Sequence, residues 1–364
     1  MPMPSRSAHA QSHVTSHPPS HAPDFTRPLA ELGPVSALGI GTALGDPTDV
    51  EDMRYEAAVA EALAAGITVV DTAINYRCQR SERAVGRAVA RAVARAKQSD
   101  GRRGGTLRVC TKGGYVPLES PPPSTKDEYR AYVARTFIDT GLIAGDDLVA
   151  GGHCIAPTFI ADQIARSRAN LAVDTIDLYY LHNPEQQLEG GVPADVFVTR
   201  LRAAFEALEQ AVDDGAIRTY GCATWNGTRT MAGDPHHLSL ELLARTAREV
   251  AGDGHHFRAV QLPVSLAMPE AVRLQSQRVN GIARTPLEAA DELEIAVVVG
   301  AALMHGQLAH DLPPAARVIF PDAPSDAARA LTFTRMLPRV ACVTVGMRSA
   351  EHVHENVGVF ASPL

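Results

Sequence analysis

The 364-residue sequence is poor in aromatic side chains, at 5%, and has a single tryptophan. Its five cysteines, Cys78, Cys110, Cys154, Cys222 and Cys342, lie far apart with no C-x-x-C pair. Such spacing gives no disulfide framework, and Cys110 and Cys342 sit inside apolar runs where a thiol behaves as a small hydrophobe. Reduced thiols in a cytoplasm are the expectation. No apolar run approaches a membrane span, and the N-terminal stretch lacks a signal-peptide core. There is no basic excess either: the formal charge is −7, which argues against a general nucleic-acid binder. No G-x-G-x-x-G follows a strand and opens a helix, so a Rossmann fold is excluded. No clustered carboxylate ligand set appears, and no metal is expected. What is present is 45% hydrophobic residues, enough for a large core. The length suits one large domain or two medium ones, and a single α/β barrel takes about 250 residues.

Residues 1–26 are rich in Ser, Pro, Ala and His without apolar periodicity, and read as a disordered tail. His9, His13, His17 and His21 recur every fourth residue, but Pro18 and Pro19 break any helix that would align them. From Leu38 the pattern alternates. Short apolar runs predict strands at 38–44, 67–71, 107–111, 176–181, 217–222, 259–263, 295–299 and 341–345. Alanine-rich helical patterns follow them near 53–65, 82–96, 158–172, 197–213, 239–250, 286–293, 326–336 and 349–359. Eight strand–helix units predict an α/β fold, a closed (β/α)8 TIM barrel, over residues 27–364 as a single domain. Gly66 and Gly215 sit where helices should stop, and Pro157 where one should start. One connection is out of scale: about 45 residues separate Lys112 from Thr158, where two to six usually suffice. Helical periodicity behind Ser124 and Thr125, ending at Gly141, gives this insertion (113–157) some structure. Its place after the third strand puts it at the barrel's functional face, as a lid-like element. His153 and Cys154 are its best candidates to reach a pocket, although such residues more often merely pack.

Three predicted strands end in titratable groups. ITVVD ends at Asp71, with a lone phenol, Tyr76, in the loop beyond. TLRVCTK ends at Lys112, and TIDLYYLH at His182. Each has an ordinary structural role available: a turn-capping Asp, a Tyr covering apolar surface, a solvated Lys, a satisfied buried His. Together they lie at the ends of successive strands two, three and four, and there they fit carbonyl chemistry. No side chain donates hydride, so a nicotinamide must. A phenol can give the proton, and a neighbouring ammonium favours its ionised form. Asp71 can hold Lys112, and His182 can orient the carbonyl oxygen.

DTAINYRCQRSE, CTK, IDLYYLHNP and VGMRSAEHVHEN, in that order, resemble the aldo-keto reductases over nearly all of the chain after Leu38. The resemblance implies Tyr76 as general acid/base, Lys112 tuning it, Asp71 as partner of Lys112, and His182 orienting the substrate. It also suggests that LAELGPVSAL forms a hairpin across the barrel floor. It implies a dinucleotide held by Gly41, Thr42, Gln261, Leu303, Gly306, Gly346, Arg348, Ser349, Glu355 and Asn356, with Arg348 favouring NADPH over NADH through a 2′-phosphate. The sequence also departs from the family. Gly-Val-Ser-Asn after the fifth strand becomes Gly221-Cys222-Ala223-Thr224, leaving Thr224, with Trp225 or Asn226, to replace an amide clamp. Gly300 stands where an aromatic usually stacks on the nicotinamide. The expected function is a cytoplasmic NAD(P)H-dependent oxidoreductase interconverting a small-molecule aldehyde, ketone or sugar with its alcohol. A nicotinamide-binding regulatory subunit with little turnover, like potassium-channel β-subunits, shares the tetrad and is the alternative. Neither the substrate nor the oligomeric state is legible.

Overall fold

The computed structural model describes residues 25–98 and 106–362. The expected tail therefore lies outside the described residues, except for Phe25, which is buried, and Thr26, which opens a strand. β1 (Thr26–Pro28) and β2 (Pro34–Ser36) pair antiparallel as a hairpin. Leu29, Leu32 and Val35 from this hairpin pack with Val69, Cys110, Leu178 and Tyr180. Arg108, the first residue of its barrel strand, donates from Nε to the Leu32 carbonyl at 3.0 Å. The hairpin thus plugs the end of the barrel where the strands begin.

Eight parallel strands close that barrel. They are β3 (Leu38–Gly41), β4 (Val69–Asp71), β5 (Arg108–Gly113), β6 (Ile176–His182), β7 (Ile217–Ala223) and β8 (Phe257–Pro263), then, past the hairpin of β9 (Gln277–Val279) and β10 (Ile282–Arg284), β11 (Ala296–Gly300) and β12 (Val340–Gly346). The circle runs β3 to β8 in sequence, then β11 and β12, which pairs back with β3. These strands read as nearly unbroken apolar runs because both their faces are covered, one by the barrel interior and one by helices. All eight strands and their eight principal helices fall within a few residues of the predicted spans.

The helices begin where side chains satisfy orphan amides. Thr48, Ser239, Thr285 and Ser325 each accept from the N–H three residues on, and Thr285 completes a capping box with Glu288. Pro157 occupies the first turn of its helix, and Gly66 and Gly215 have φ of +91° and +69° after theirs. Small residues let helices approach: a Cβ on Gly86 would come within 2.7 Å of the Asn170 carbonyl oxygen.

The insertion leaves β5 at Gly113. Thr125 caps a helix at Lys126–Val133 that runs on into a π turn, Ala134–Ile138, and Gly141 follows with φ +75°. Its small core, Val116, Val133, Phe137, Ile143 and Cys154, packs on Phe159 of the next helix, Pro157–Leu171. Glu119 ties it to the helix Arg80–Gln98 by an ion pair with Arg83.

Candidate active site

The open end of the barrel, where the strands finish, carries a cavity of about 650 Å³. Asp71 closes β4 and Lys112 lies one residue from the end of β5, so their side chains meet across adjacent strands. Lys112 Nζ donates to Asp71 Oδ2 at 2.7 Å and to the Thr72 carbonyl at 2.8 Å, and its side chain is 1% exposed. Gln261, from β8, donates to the other Asp71 oxygen at 3.1 Å. The ammonium sits 5.2 Å from the centre of the Tyr76 ring. The His182 ring stands edge-on to Tyr76, centroids 5.9 Å apart. Four groups from three strand ends therefore share one site; Asp71, Tyr76 and His182 line the cavity, and Lys112 lies buried behind them.

Burial governs the charges here. It raises the Tyr76 phenol, and Asp71 adds to the rise; Lys112 pulls the other way without reversing it. The ammonium effect read from sequence is thus present but smaller than desolvation. Burial alone would lower Lys112, yet the Asp71 charge and hydrogen bond, with Tyr76, bring it above its usual value. His182 is pushed well below the usual imidazole range by burial first, then by Lys112 and His153. At neutral pH the site holds a protonated phenol, an ammonium and an uncharged imidazole.

His182 is braced from the insertion. His153 Nε2 lies 2.8 Å from the His182 carbonyl oxygen, and its Nδ1 lies 2.8 Å from Gln187 Nε2. A carbonyl only accepts and an amide nitrogen only donates, so His153 is the neutral Nε2–H tautomer. Gln187 is oriented in turn by Arg200, which donates to its Oε1 at 2.8 Å. The Tyr115 ring packs edge-on against both histidines, and Asn183 donates to its hydroxyl. None of residues 113–157 lines the cavity; the insertion reaches the site through Tyr115 and His153. Cys154 is packed in the insertion's own core.

Burial brings the His153 pKa down to about 4. The unfolded chain takes up that proton near pH 6.5 and the folded one does not, so stability is complete above about 6.5 and falls as pH drops. The expected slope is up to about 1.4 kcal/mol per pH unit for this one imidazole. Urea unfolding at pH 7, 5.5 and 4.5 should show it, with a shallower dependence in His153→Gln; equal slopes in both proteins would contradict it.

Around the rest of the cavity lie Gly41, Thr42, Thr224, Gln261, Leu303, Gly306, Gly346, Arg348, Glu355 and Asn356. Ser349 is not among them; it caps the terminal helix Ala350–Ala361 and accepts from the His352 amide. Arg348 pairs with Glu51 at 3.2 Å, and Glu355 accepts from Ser325 at 2.7 Å. Thr224 turns its hydroxyl to Glu185 Oε1, 2.7 Å away, and Asn226 donates its amide to Glu189. Glu185 escaped the reading of the sequence. It is buried, its Oε1 also accepts from the Trp225 and Asn226 backbone amides, and so it fixes the loop after β7. Its signal was an acid three residues beyond a strand-end histidine. Trp225, His305 and His310 also line the cavity, and Trp225 meets His305 edge-on.

Among the described residues no cluster of His, Cys, Asp and Glu could hold a metal ion, and no helix is long and apolar enough to cross a membrane. The model of the aldo/keto reductase family matches residues 37–233. The chain belongs to the aldo/keto reductase family. The matched span takes in β3 to β7 and ends before β8, so the strand ends carrying Gln261, Gly300 and Gly346 lie outside it. An aldo/keto reductase from Klebsiella pneumoniae, in complex with NADP and acetate, superposes with a TM-score of 0.60 at 18% identity, over 93% of this chain and 91% of that one. A glycerol dehydrogenase from Gluconobacter oxydans gives 0.59 at 21% identity, over 94% and 92%. These two likenesses concern the fold. In sequence, aldo-keto reductase family 1 member C1 of Macaca fuscata fuscata is 26% identical over an alignment of 133 residues that covers 33% of this chain and 41% of that relative.

Proposed function

We propose that this member of the aldo/keto reductase family is an oxidoreductase that interconverts an aldehyde or ketone, aldoses included, with its alcohol, using NADPH. The observation that carries the reading is the buried Lys112–Asp71 pair set against Tyr76 and His182 at one end of an open cavity. The cavity fits a dinucleotide. Its volume lies within the range of small-molecule and cofactor sites, about 300–1,000 Å³. Gly41 and Gly346 leave its wall bare of side chains, and Gln261, Asn356 and Arg348 supply polar groups along it. Solved Klebsiella pneumoniae relatives are complexes with NADP or NADPH.

When bound, a reduced nicotinamide supplies hydride to a carbonyl carbon. Tyr76, protonated because it is buried, gives its proton to the carbonyl oxygen. Lys112 stabilises the phenolate left behind, and Asp71 keeps the ammonium in place. His182, kept uncharged, hydrogen-bonds the carbonyl oxygen and orients it. Gln261 and Asn356 would hold the two ends of the dinucleotide, and Arg348 would meet a 2′-phosphate. The test is a panel of aldehydes, ketones and aldoses with NADPH and with NADH; nucleotide binding without turnover of any of them contradicts the reading.

Arg348→Ala is expected to weaken NADPH binding by about 10- to 100-fold, the worth of one charge-assisted hydrogen-bonding group. NADH should change little, and fluorescence titration of both nucleotides checks it; equal losses remove Arg348 from the 2′-phosphate. A second change should improve binding. A Cβ on Gly300 meets nothing within 4 Å, and the residue lines the cavity, so a side chain can start there toward open space. Gly300→Tyr is expected to tighten either nucleotide by about 2- to 10-fold, a stacking contribution of roughly 0.5–1.5 kcal/mol. Unchanged or weaker binding shows that the nicotinamide does not lie beside this strand end.

A further inference from the structure

Directly after Tyr76 the backbone does something that no glycine there excuses. Arg77, Cys78 and Gln79 have φ of +50°, +55° and +65° in succession. Left-handed backbone is sterically disfavoured at every L-residue in such a run, so this segment left alone would unwind. Its two outer side chains are both buried and both anchored. The Arg77 guanidinium, 1% exposed, forms an ion pair with Asp52, donates to the Asp46 carbonyl at 3.0 Å and the Thr48 carbonyl at 3.2 Å, and lies 5.2 Å from the Tyr55 ring centre. Gln79 donates to the Leu118 carbonyl at 3.2 Å and Glu119 Oε1 at 2.7 Å, and accepts from Asn170. Cys78, between them, makes no hydrogen bond. Backbone strain next to a reacting group persists only when its surroundings over-determine it.

We propose that Arg77, through its buried ion pair with Asp52, is a positioning residue that holds Tyr76 against Lys112 by locking this left-handed turn. The inference rests on Tyr76 being the proton donor. Gln79 is the second anchor, and through Leu118 and Glu119 it makes the insertion a brace for the same turn. Release of Arg77 lets the turn relax toward negative φ, which swings the preceding phenol away from the ammonium. The charged and titratable groups facing Tyr76 are Asp71 from β4, Lys112 from β5, His182 from β6 and Tyr115 from the insertion. None of them is altered in the variants below, so a change in proton delivery reports the position of Tyr76.

In Arg77→Ala, kcat for carbonyl reduction is expected to fall at least about tenfold, equivalent to roughly 1.4 kcal/mol, with NADPH affinity unchanged. The alkaline limb of its pH–kcat profile should shift from the wild-type position, because moving the phenol changes its burial and its distances to Lys112 and Asp71 together. Arg77→Lys should recover part of the loss. Asp52→Asn keeps the shape of the partner and should move kcat and the alkaline limb the same way by less. It carries the test should Arg77→Ala fail to fold. Folded variants that keep both the wild-type kcat and the wild-type alkaline limb overturn the proposal, as does a loss of kcat that follows only the folded fraction. Tyr76→Phe is assayed beside them. Its continued turnover overturns the assignment of Tyr76 itself, whereas an inactive Tyr76→Phe with indifferent Arg77 and Asp52 variants overturns only the positioning role.

Discussion

Tyr76→Phe is expected to lower carbonyl turnover by about 10²- to 10⁴-fold, the usual span for losing a positioned general acid. The substitution removes one oxygen and leaves the ring that packs against His182 and the Lys112 ammonium. Nucleotide affinity and thermal stability should therefore stay close to wild type, which separates lost chemistry from lost structure. The effect belongs in kcat and kcat/KM together, because the proton moves only in the transition state. Neither Lys112, occupied by Asp71 and the Thr72 carbonyl, nor His182, kept uncharged by burial, is placed to replace the phenol. Turnover within tenfold of wild type would take the acid role from Tyr76.

Lys112→Met should do more damage and of a different kind. It removes one partner of a buried ion pair and leaves the Asp71 carboxylate with Gln261 as its remaining side-chain partner. Breaking such a pair from one side costs about 3–5 kcal/mol, much of it the cost of an unpaired buried charge. The fold should be measurably less stable in urea. Activity should fall by at least the Tyr76→Phe factor, because the phenolate formed on proton transfer loses its neighbouring cation. Asp71→Asn in the same protein removes the stranded charge and should restore much of the stability without the activity. If the double variant is no more stable than Lys112→Met, the pair is not coupled as described.

The barrel was legible because periodicity and punctuation agreed along the chain. Each strand is a short apolar run, seven of the eight principal helices start at a Ser, Thr or Pro (Arg80–Gln98 is the exception), and Gly66 and Gly215 mark the returns. The gathering of Asp71, Tyr76, Lys112 and His182 was legible because β4 and β6 end at Asp71 and His182, β5 ends one residue past Lys112, and Tyr76 follows β4 closely. Other features needed coordinates. The β9–β10 hairpin did carry a signal, Asn280-Gly281 with φ of +52° and +79° between Val279 and Ile282, a two-residue turn typical of hairpins. Glu185 was hidden because an acid three residues past a strand end looks like an ordinary turn residue. Thr224 does line the cavity, but its hydroxyl donates to Glu185, a contact with no mark in the sequence. Ser349, expected to open the terminal helix, is its N-cap. The insertion was placed on the functional face by strand order, but only the fold shows it touching the site through Tyr115, His153 and the partners of Gln79.

The most direct test is to follow the transferred hydrogen. NADPH carrying deuterium at nicotinamide C4, on the face that reacts, is incubated with the best carbonyl from the panel, and the alcohol is read by mass spectrometry. The expected result is one deuterium on the carbinol carbon in wild-type product, with product formation lost in Tyr76→Phe. Alcohol formed without deuterium, or protein that binds NADPH yet reduces no carbonyl, would contradict it.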